Sequence, residues 1–163
     1  MKKELLDGLV EQINMEMQAA YIYLGMSTYL NEEDFEGFGR WMMSQAQEEM
    51  EHAMRIYEYL QERGEHIELP ALEKVAVNYK SVLDVFEAAL AHEKLVTASI
   101  DKLMGQAHDL RDFSAIGMLQ WFVDEQVEEE DTFNAAIAKL KLAEGKGSPM
   151  LMLDREFGKR EEA

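Results

Sequence analysis

Apolar residues return along this chain at alternating steps of four and three, and they do so through four long stretches. That rhythm keeps one stripe of a helix apolar. It predicts amphipathic helices from about Lys3 to Asn31, Phe35 to Arg63, Ser81 to Ala107 and Asp112 to Leu142. Gly64 and Gly145 stand just past the second and the fourth, where helix ends favour glycine. A fifth, short segment is expected from Ser148 as N-cap with Pro149 at the first helical position, reaching about residue 160 and carrying Met150, Leu151, Leu153 and Phe157.

The connections constrain how these helices are joined. A short acidic loop links the first two, and His108 to Arg111 link the third and fourth, so each pair is expected as an antiparallel hairpin. Glu65 to Lys80, 16 residues, separate the second from the third. A helix of this length is about 40 Å long, and such a connection reaches about 50 Å when extended. It is long enough to run the length of a bundle. That favours a crossover with helices two and three parallel, the alternative being a loop folded back on itself. The expectation is one all-α domain over residues 1–163, a four-helix bundle at about 3–142 with a short C-terminal helix at about 148–160.

The inward stripe of each helix is apolar at both ends and broken in the middle. Helix one reads Leu9, Ile13, Glu16, Ala20, Tyr23, Ser27, Leu30; helix two reads Phe38, Met42, Gln45, Glu49, His52, Ile56, Tyr59. Helix three reads Val82, Phe86, Ala89, Glu93, Val96, Ile100, Leu103; helix four reads Ala115, Leu119, Phe122, Gln126, Glu129, Phe133, Ala136, Leu140. Glu16, Glu49, His52, Glu93, Gln126 and Glu129 interrupt the stripes near the helix midpoints, so packing the helices side by side gathers them into one layer.

Burying an unpaired carboxylate costs several kcal/mol, and neighbouring like charges add to that. No Lys or Arg stands on any stripe to offset them. Two readings remain: a polar layer in which Gln and His bond protonated Glu, or a pair of divalent cations that neutralises all four carboxylates. Carboxylates with a single imidazole suit iron or manganese better than metals that prefer soft ligands. Glu49 and His52, three residues apart, share a helical face and both reach one ion.

Composition narrows the classes further. There is no cysteine, which excludes disulfides, zinc–thiolate sites and cysteine nucleophiles. The formal net charge of −17 disfavours nucleic acid as a partner and favours cations, although solubility alone also accounts for it. Residues 1–12 mix charges with leucines and lack the apolar run of a signal peptide, and the uncharged stretch Met17–Leu30 is too short to span a bilayer. The expected location is the cytoplasm, with no membrane partner.

With these residues in place the chain resembles the ferritins, specifically the non-haem ferritins of bacteria and archaea. The resemblance covers nearly the whole chain and rests on Asn14-Met15-Glu16, Tyr21-Ile22-Tyr23-Leu24, Gln47-Glu48-Glu49-Met50-Glu51-His52-Ala53, His92-Glu93 and the run from Trp121 to Glu130. It implies a ferritin-like bundle and a ferroxidase that stores and detoxifies iron. Fe(II) is oxidised by O₂ or peroxide, and ferric mineral is deposited inside a hollow homo-oligomeric shell, by resemblance a 24-mer. Glu16, Glu49 and His52 are implied as ligands of the first iron. Glu49 bridges to a second iron completed by Glu93 and Glu129, with Gln126 beside it. Tyr23 is implied as the nearby tyrosine that supplies an electron or a hydrogen bond; spacing alone equally makes it a core aromatic.

Glu48, Glu125 and Glu128, sharing Glu129, match a third metal position of prokaryotic ferritins; an ordinary solvated acidic face is the alternative. Helix four has Gln126 and Glu129 where other two-metal bundles carry Glu-x-x-His. The second iron therefore lacks an imidazole and is expected to be held less tightly, which suits a site that passes its product on. His66, His92 and His108 are read as surface or supporting residues. Haem is not expected: the sequence around Met50 and Met54 resembles the non-haem branch, and the 12 methionines serve as core filler. Two rival readings stay open, a di-iron or dimanganese oxidase or catalase that keeps its metals, and a passive cage subunit that nucleates mineral. The apolar fifth segment fits a contact with another subunit, or packing on its own bundle.

Overall fold

In the computed structural model, which describes residues 1–160, five helices follow in order: α1 (Lys3–Glu32), α2 (Glu36–Glu62), α3 (Val82–Asp109), α4 (Phe113–Ala143) and α5 (Gly147–Phe157). Residues 161–163 of the expected domain lie outside the described residues. Among the described residues no helix is long and apolar enough to cross a membrane.

Local chemistry sets the helix ends. Ser81 caps α3 by accepting from the Asp84 amide at 3.1 Å, and the Asp84 carboxylate accepts from the Lys80 amide at 2.9 Å. Asp112 caps α4 by accepting from the Ala115 amide at 3.1 Å, and its carboxylate also binds Arg63 at 3.0 and 3.2 Å. The Arg63 guanidinium holds the Asp112 carboxyl below its usual range. This pair ties the end of α2 to the start of α4. Gly64, at φ +72°, turns the chain out of α2 through the left-handed region, as its sequence position suggested. Two details differ from expectation. His108 is still helical, and α5 starts at Gly147, which puts Pro149 in the first turn, where its missing N–H breaks no hydrogen bond.

The long connection is a crossover. The Met1 ammonium meets Glu65 at 2.9 Å, placing the start of α1 beside the end of α2. The connection then climbs along α1: Asn14 donates to the carbonyls of Pro70 and Ala71, Gln18 exchanges two hydrogen bonds with the backbone of Glu73, and Tyr79 packs edge-on to Tyr29. α3 therefore starts at the far end of the bundle and runs parallel to α2.

Every residue of the four inward stripes is buried except Tyr59, which sits at the bundle end with its hydroxyl bonded to Ser114 and Arg63. The apolar core falls into two clusters. One gathers Tyr23, Phe38, Trp41, Phe86 and Phe133; the other gathers Leu9, Ile13, Ile56, Ile100, Leu119 and Phe122. The interrupted layer lies between them. α5 closes the first cluster: Phe157 packs on Phe38, Trp41 and Phe86, and the Phe38 amide donates to Asp154 at 2.9 Å. Gly37 is what allows this approach, since a Cβ there would lie 1.7 Å from the Asp154 carbonyl oxygen.

Candidate metal centre

The two hairpins bring four carboxylates, one imidazole and three amides to a single depth. α1 supplies Gln12 and Glu16, α2 supplies Gln45, Glu49 and His52, α3 supplies Glu93, and α4 supplies Gln126 and Glu129; all are buried. Six of these were legible as breaks in the apolar pattern.

Within this layer Glu16, Glu49 and His52 form one group whose ligand atoms lie within 4.8 Å of one another, and Glu49, Glu93 and Glu129 form another. Glu49 belongs to both. In the first group, Glu16 Oε2, Glu49 Oε2 and His52 Nδ1 are buried and have no hydrogen-bond partner. They face one another, Nδ1 standing 3.4 Å from Glu49 Oε2 and 3.9 Å from Glu16 Oε2. A buried polar atom without a partner costs about 1–3 kcal/mol; three converging on one point fit a cation that takes all three.

The second group is more fully bonded. Tyr23 donates its hydroxyl to Glu93 Oε1, and Gln126 donates to Glu93 Oε2 at 3.1 Å. Gln45 donates to Glu129 Oε2 at 2.7 Å and to Glu49 Oε1 at 3.1 Å. Tyr23 is thus both things its spacing allowed: its ring stacks on Phe133 and its hydroxyl reaches a carboxylate of the layer.

Electrostatics follow from this crowding. Burial pushes the carboxyls of Glu16, Glu49 and Glu93 upward, and the Glu129 carboxyl up to about 9. Neighbouring charges add to the effect, Glu49 on Glu16 and Glu93 on both Glu49 and Glu129. Burial also raises the Tyr23 phenol, with Glu93 contributing. At neutral pH the Glu129 carboxyl therefore holds a proton, and a cation binds there by replacing it.

The residues expected at a third position divide. Glu125 comes close: its carboxylate stands 3.9 Å from His52 Nε2 and groups with His52 and Glu129. Glu128 is exposed, near enough for its charge to raise the Glu125 carboxyl after burial has done so. Glu48 is drawn aside, its Oε2 accepting from Arg160 at 2.9 Å. Among the other histidines, His66 and His108 are exposed. His92 is half-buried edge-on to Tyr23, its Nε2 has no partner, and burial lowers its basicity.

Five supporting residues were not singled out by the sequence pattern. Gln12 donates to Glu16 at 2.9 Å and accepts from Ser99 at 2.5 Å. The Thr97 hydroxyl shares its one hydrogen between the Glu93 carbonyl at 3.0 Å and Glu130 at 2.8 Å, and accepts from Gln126 at 3.2 Å. Gln45 repeats the Gln12 arrangement, since each glutamine stands four residues before a carboxylate of the layer. That repeated Gln-x-x-x-Glu spacing is a signal the sequence offered. Arg160, which reaches the layer from beyond α5, offered none.

A family model described as a ferritin-like domain matches residues 6–143. The bacterial non-heme ferritin of Campylobacter jejuni is 39% identical over 155 residues, covering 95% of this chain and 93% of that protein. The bacterial non-heme ferritin of a Staphylococcus epidermidis strain is 37% identical over 160 residues, covering 98% and 96%. Among solved structures, an open-pore ferritin from the hyperthermophilic archaeon Archaeoglobus fulgidus superposes with a TM-score of 0.97 at 37% identity, over 99% of each chain.

Proposed function

This chain belongs to the ferritin-like family, and from that premise we propose that it stores iron by oxidising Fe(II) at the buried layer and depositing the product in a shell built of its own copies. The converging unpaired atoms of Glu16, Glu49 and His52 carry the proposal. Protein hydrogen bonds leave them unsatisfied, and a divalent cation satisfies all three at once.

Iron enters as substrate. Glu16, Glu49 and His52 would take the first Fe(II), and Glu93 and Glu129 the second, with Glu49 shared between them. Binding displaces protons from the raised carboxyls. Two Fe(II) ions give up two electrons, which O₂ accepts with two protons to become peroxide; peroxide is itself a competent oxidant of a further pair. Carboxylate oxygens favour the harder Fe(III) that results. Tyr23 and Gln126 hold Glu93 in place, and Glu125, Glu128 and Glu48 provide a third position on the way out. A cytoplasmic location belongs to the same proposal.

Two exposed apolar regions support a shell. Tyr21, Leu24, Leu72 and Val77 lie along α1 and the crossover, while Leu142, Leu151 and Met152 lie around α5, Leu142 being 84% exposed. α5 uses one face on its own bundle and leaves the other open. Two separate apolar faces on one chain suit a closed assembly larger than a dimer, and the resemblance implies 24 subunits.

The test is assembly mass together with iron retained per subunit after aerobic addition of Fe(II). A large cage retaining many irons per subunit is expected. A small oligomer keeping about two metals would mean a retained cofactor and overturn storage. Glu49→Ala and His52→Ala should each abolish fast oxidation while the cage still assembles; wild-type rates in either would refute the site.

A further inference from the structure

Among the described residues, Arg160 is the one Lys or Arg whose side chain bonds directly to this layer. Its Nη2 donates to Glu48 Oε2 at 2.9 Å and to Gln45 Oε1 at 3.1 Å. Its Nη1 reaches the Trp41 carbonyl at 3.4 Å, and the guanidinium lies over the Trp41 ring, 4.3 Å from the centroid. The pair with Glu48 is largely shielded, both side chains being 19% exposed. These contacts hold Arg160 against α2, one turn from the carboxylates.

The contact with Gln45 fixes an orientation. A side-chain amide has a donating end and an accepting end. With its oxygen bound to Arg160, Gln45 must turn its NH₂ inward, where it donates to Glu49 and Glu129 at 3.1 and 2.7 Å. Rotated the other way, it would set an oxygen against two carboxylates. On α1, Gln12 is oriented toward Glu16 by the neutral Ser99 hydroxyl. Only on the Glu129 side is the orienting donor a full positive charge, and only there does the same donor also hold an acidic group at the edge of the layer.

Building on the iron-storage reading, we propose that Arg160 is a displaceable gate: its guanidinium occupies Glu48, so a cation moving outward from Glu129 to the Glu48 side must expel it. Metal and guanidinium compete for the same carboxylate oxygen, and one excludes the other. Expulsion also frees the Gln45 oxygen, which loosens the hold on Glu129 as the ion departs. Arg160 is a positioning residue here and touches no reacting atom.

The test uses the full-length assembled protein and anaerobic Co(II), which reports binding without any oxidation. Calorimetry is run on the wild type, Arg160→Gln, Arg160→Lys and Lys159→Gln, with light scattering to confirm equal assembly mass. Two central Co(II) ions per subunit are expected in all four, the first at unchanged affinity. An additional ion should bind about tenfold tighter in Arg160→Gln, matching the loss of one charge-assisted hydrogen bond that the ion otherwise has to break. Arg160→Lys should fall between, and the gain should vanish in Arg160→Gln/Glu48→Gln. Equal affinity for the additional ion in wild type and Arg160→Gln would overturn the gate. So would an equal gain in Lys159→Gln, which would mark a general effect of charge. Absence of the two central ions in the wild type would instead overturn the dinuclear reading, and the gate with it.

Discussion

The two halves of the central layer face the same electrostatic problem and answer it differently. On the Glu16–His52 side, three buried atoms converge without a hydrogen-bond partner. On the Glu93–Glu129 side, a phenol and two amides already bond the carboxylates. The first half stays unsatisfied until a cation arrives; the second is a hydrogen-bonded network that a cation must partly rearrange. Sequence alone suggested an asymmetry through the single imidazole. The structure adds a second difference, since protein donors already bond the carboxylates of the Glu93–Glu129 half.

The strongest challenge to this comparison is pH. The Glu129 carboxyl rises from an ordinary 4.5 to about 9 in the folded chain. Between those values the folded metal-free chain keeps a proton that the unfolded chain has released. Stability should therefore fall as pH rises through that window, by up to about 1.4 kcal/mol per pH unit for each proton so held. Denaturant melts of metal-free protein at pH 5, 6.5 and 8 should show the decline, and saturating Zn(II) should remove it. A metal-free stability that rises over this range would contradict the buried-proton account for both halves.

Next in size is metal affinity. His52→Leu should weaken the first Co(II) by about 100-fold or more, because it removes the single imidazole of that group. Gln126→Leu should leave the first ion alone and shift only the second. Equal losses at both ions in either variant would erase the distinction.

Smaller still is the effect on metal-free stability. In Glu93→Gln, an NH₂ would face either the Gln126 amide or the Tyr23 hydroxyl, at a cost of about 1–3 kcal/mol. Glu16→Gln keeps an oxygen for Gln12 and turns an NH₂ toward the unpaired Glu49 oxygen, so metal-free stability should hold or rise at pH 7. Thermal melts of the two variants side by side test this opposition. The smallest expected change is Tyr23→Phe, about 1 kcal/mol for one buried hydrogen bond, with cage and central ions retained.

Much of this was readable from the chain. Four helices, the crossover and the six breaks in the stripes follow from periodicity and loop length, because burial imposes the period and the ligands violate it. What escaped did so for physical reasons. Gln45 occupies a stripe position yet reads as a tolerated polar residue until its two carboxylate partners are seen. Ser99 and Thr97 lie off the stripes and act only through a neighbour. Glu48 carries the same charge as Glu125, and nothing along the chain tells which one a distant arginine will claim. Arg160 comes from a segment whose path depends on Phe157 and Asp154 docking against α2, a tertiary event with no periodic signature.

The candidate ligands are shared between the two hairpins. One hairpin, α1 with α2, holds Glu16, Glu49 and His52; the other, α3 with α4, holds Glu93 and Glu129, and Glu49 alone belongs to both groups. An ion beside Glu49 on the second side therefore bolts one hairpin to the other across the plane where they meet. Without it, that plane packs buried carboxyl groups face to face at the depth where the apolar core is interrupted. Amide exchange should then report a breathing motion between the hairpins, fastest in the middle turns, that stops when the second ion is in place and persists when only the first is.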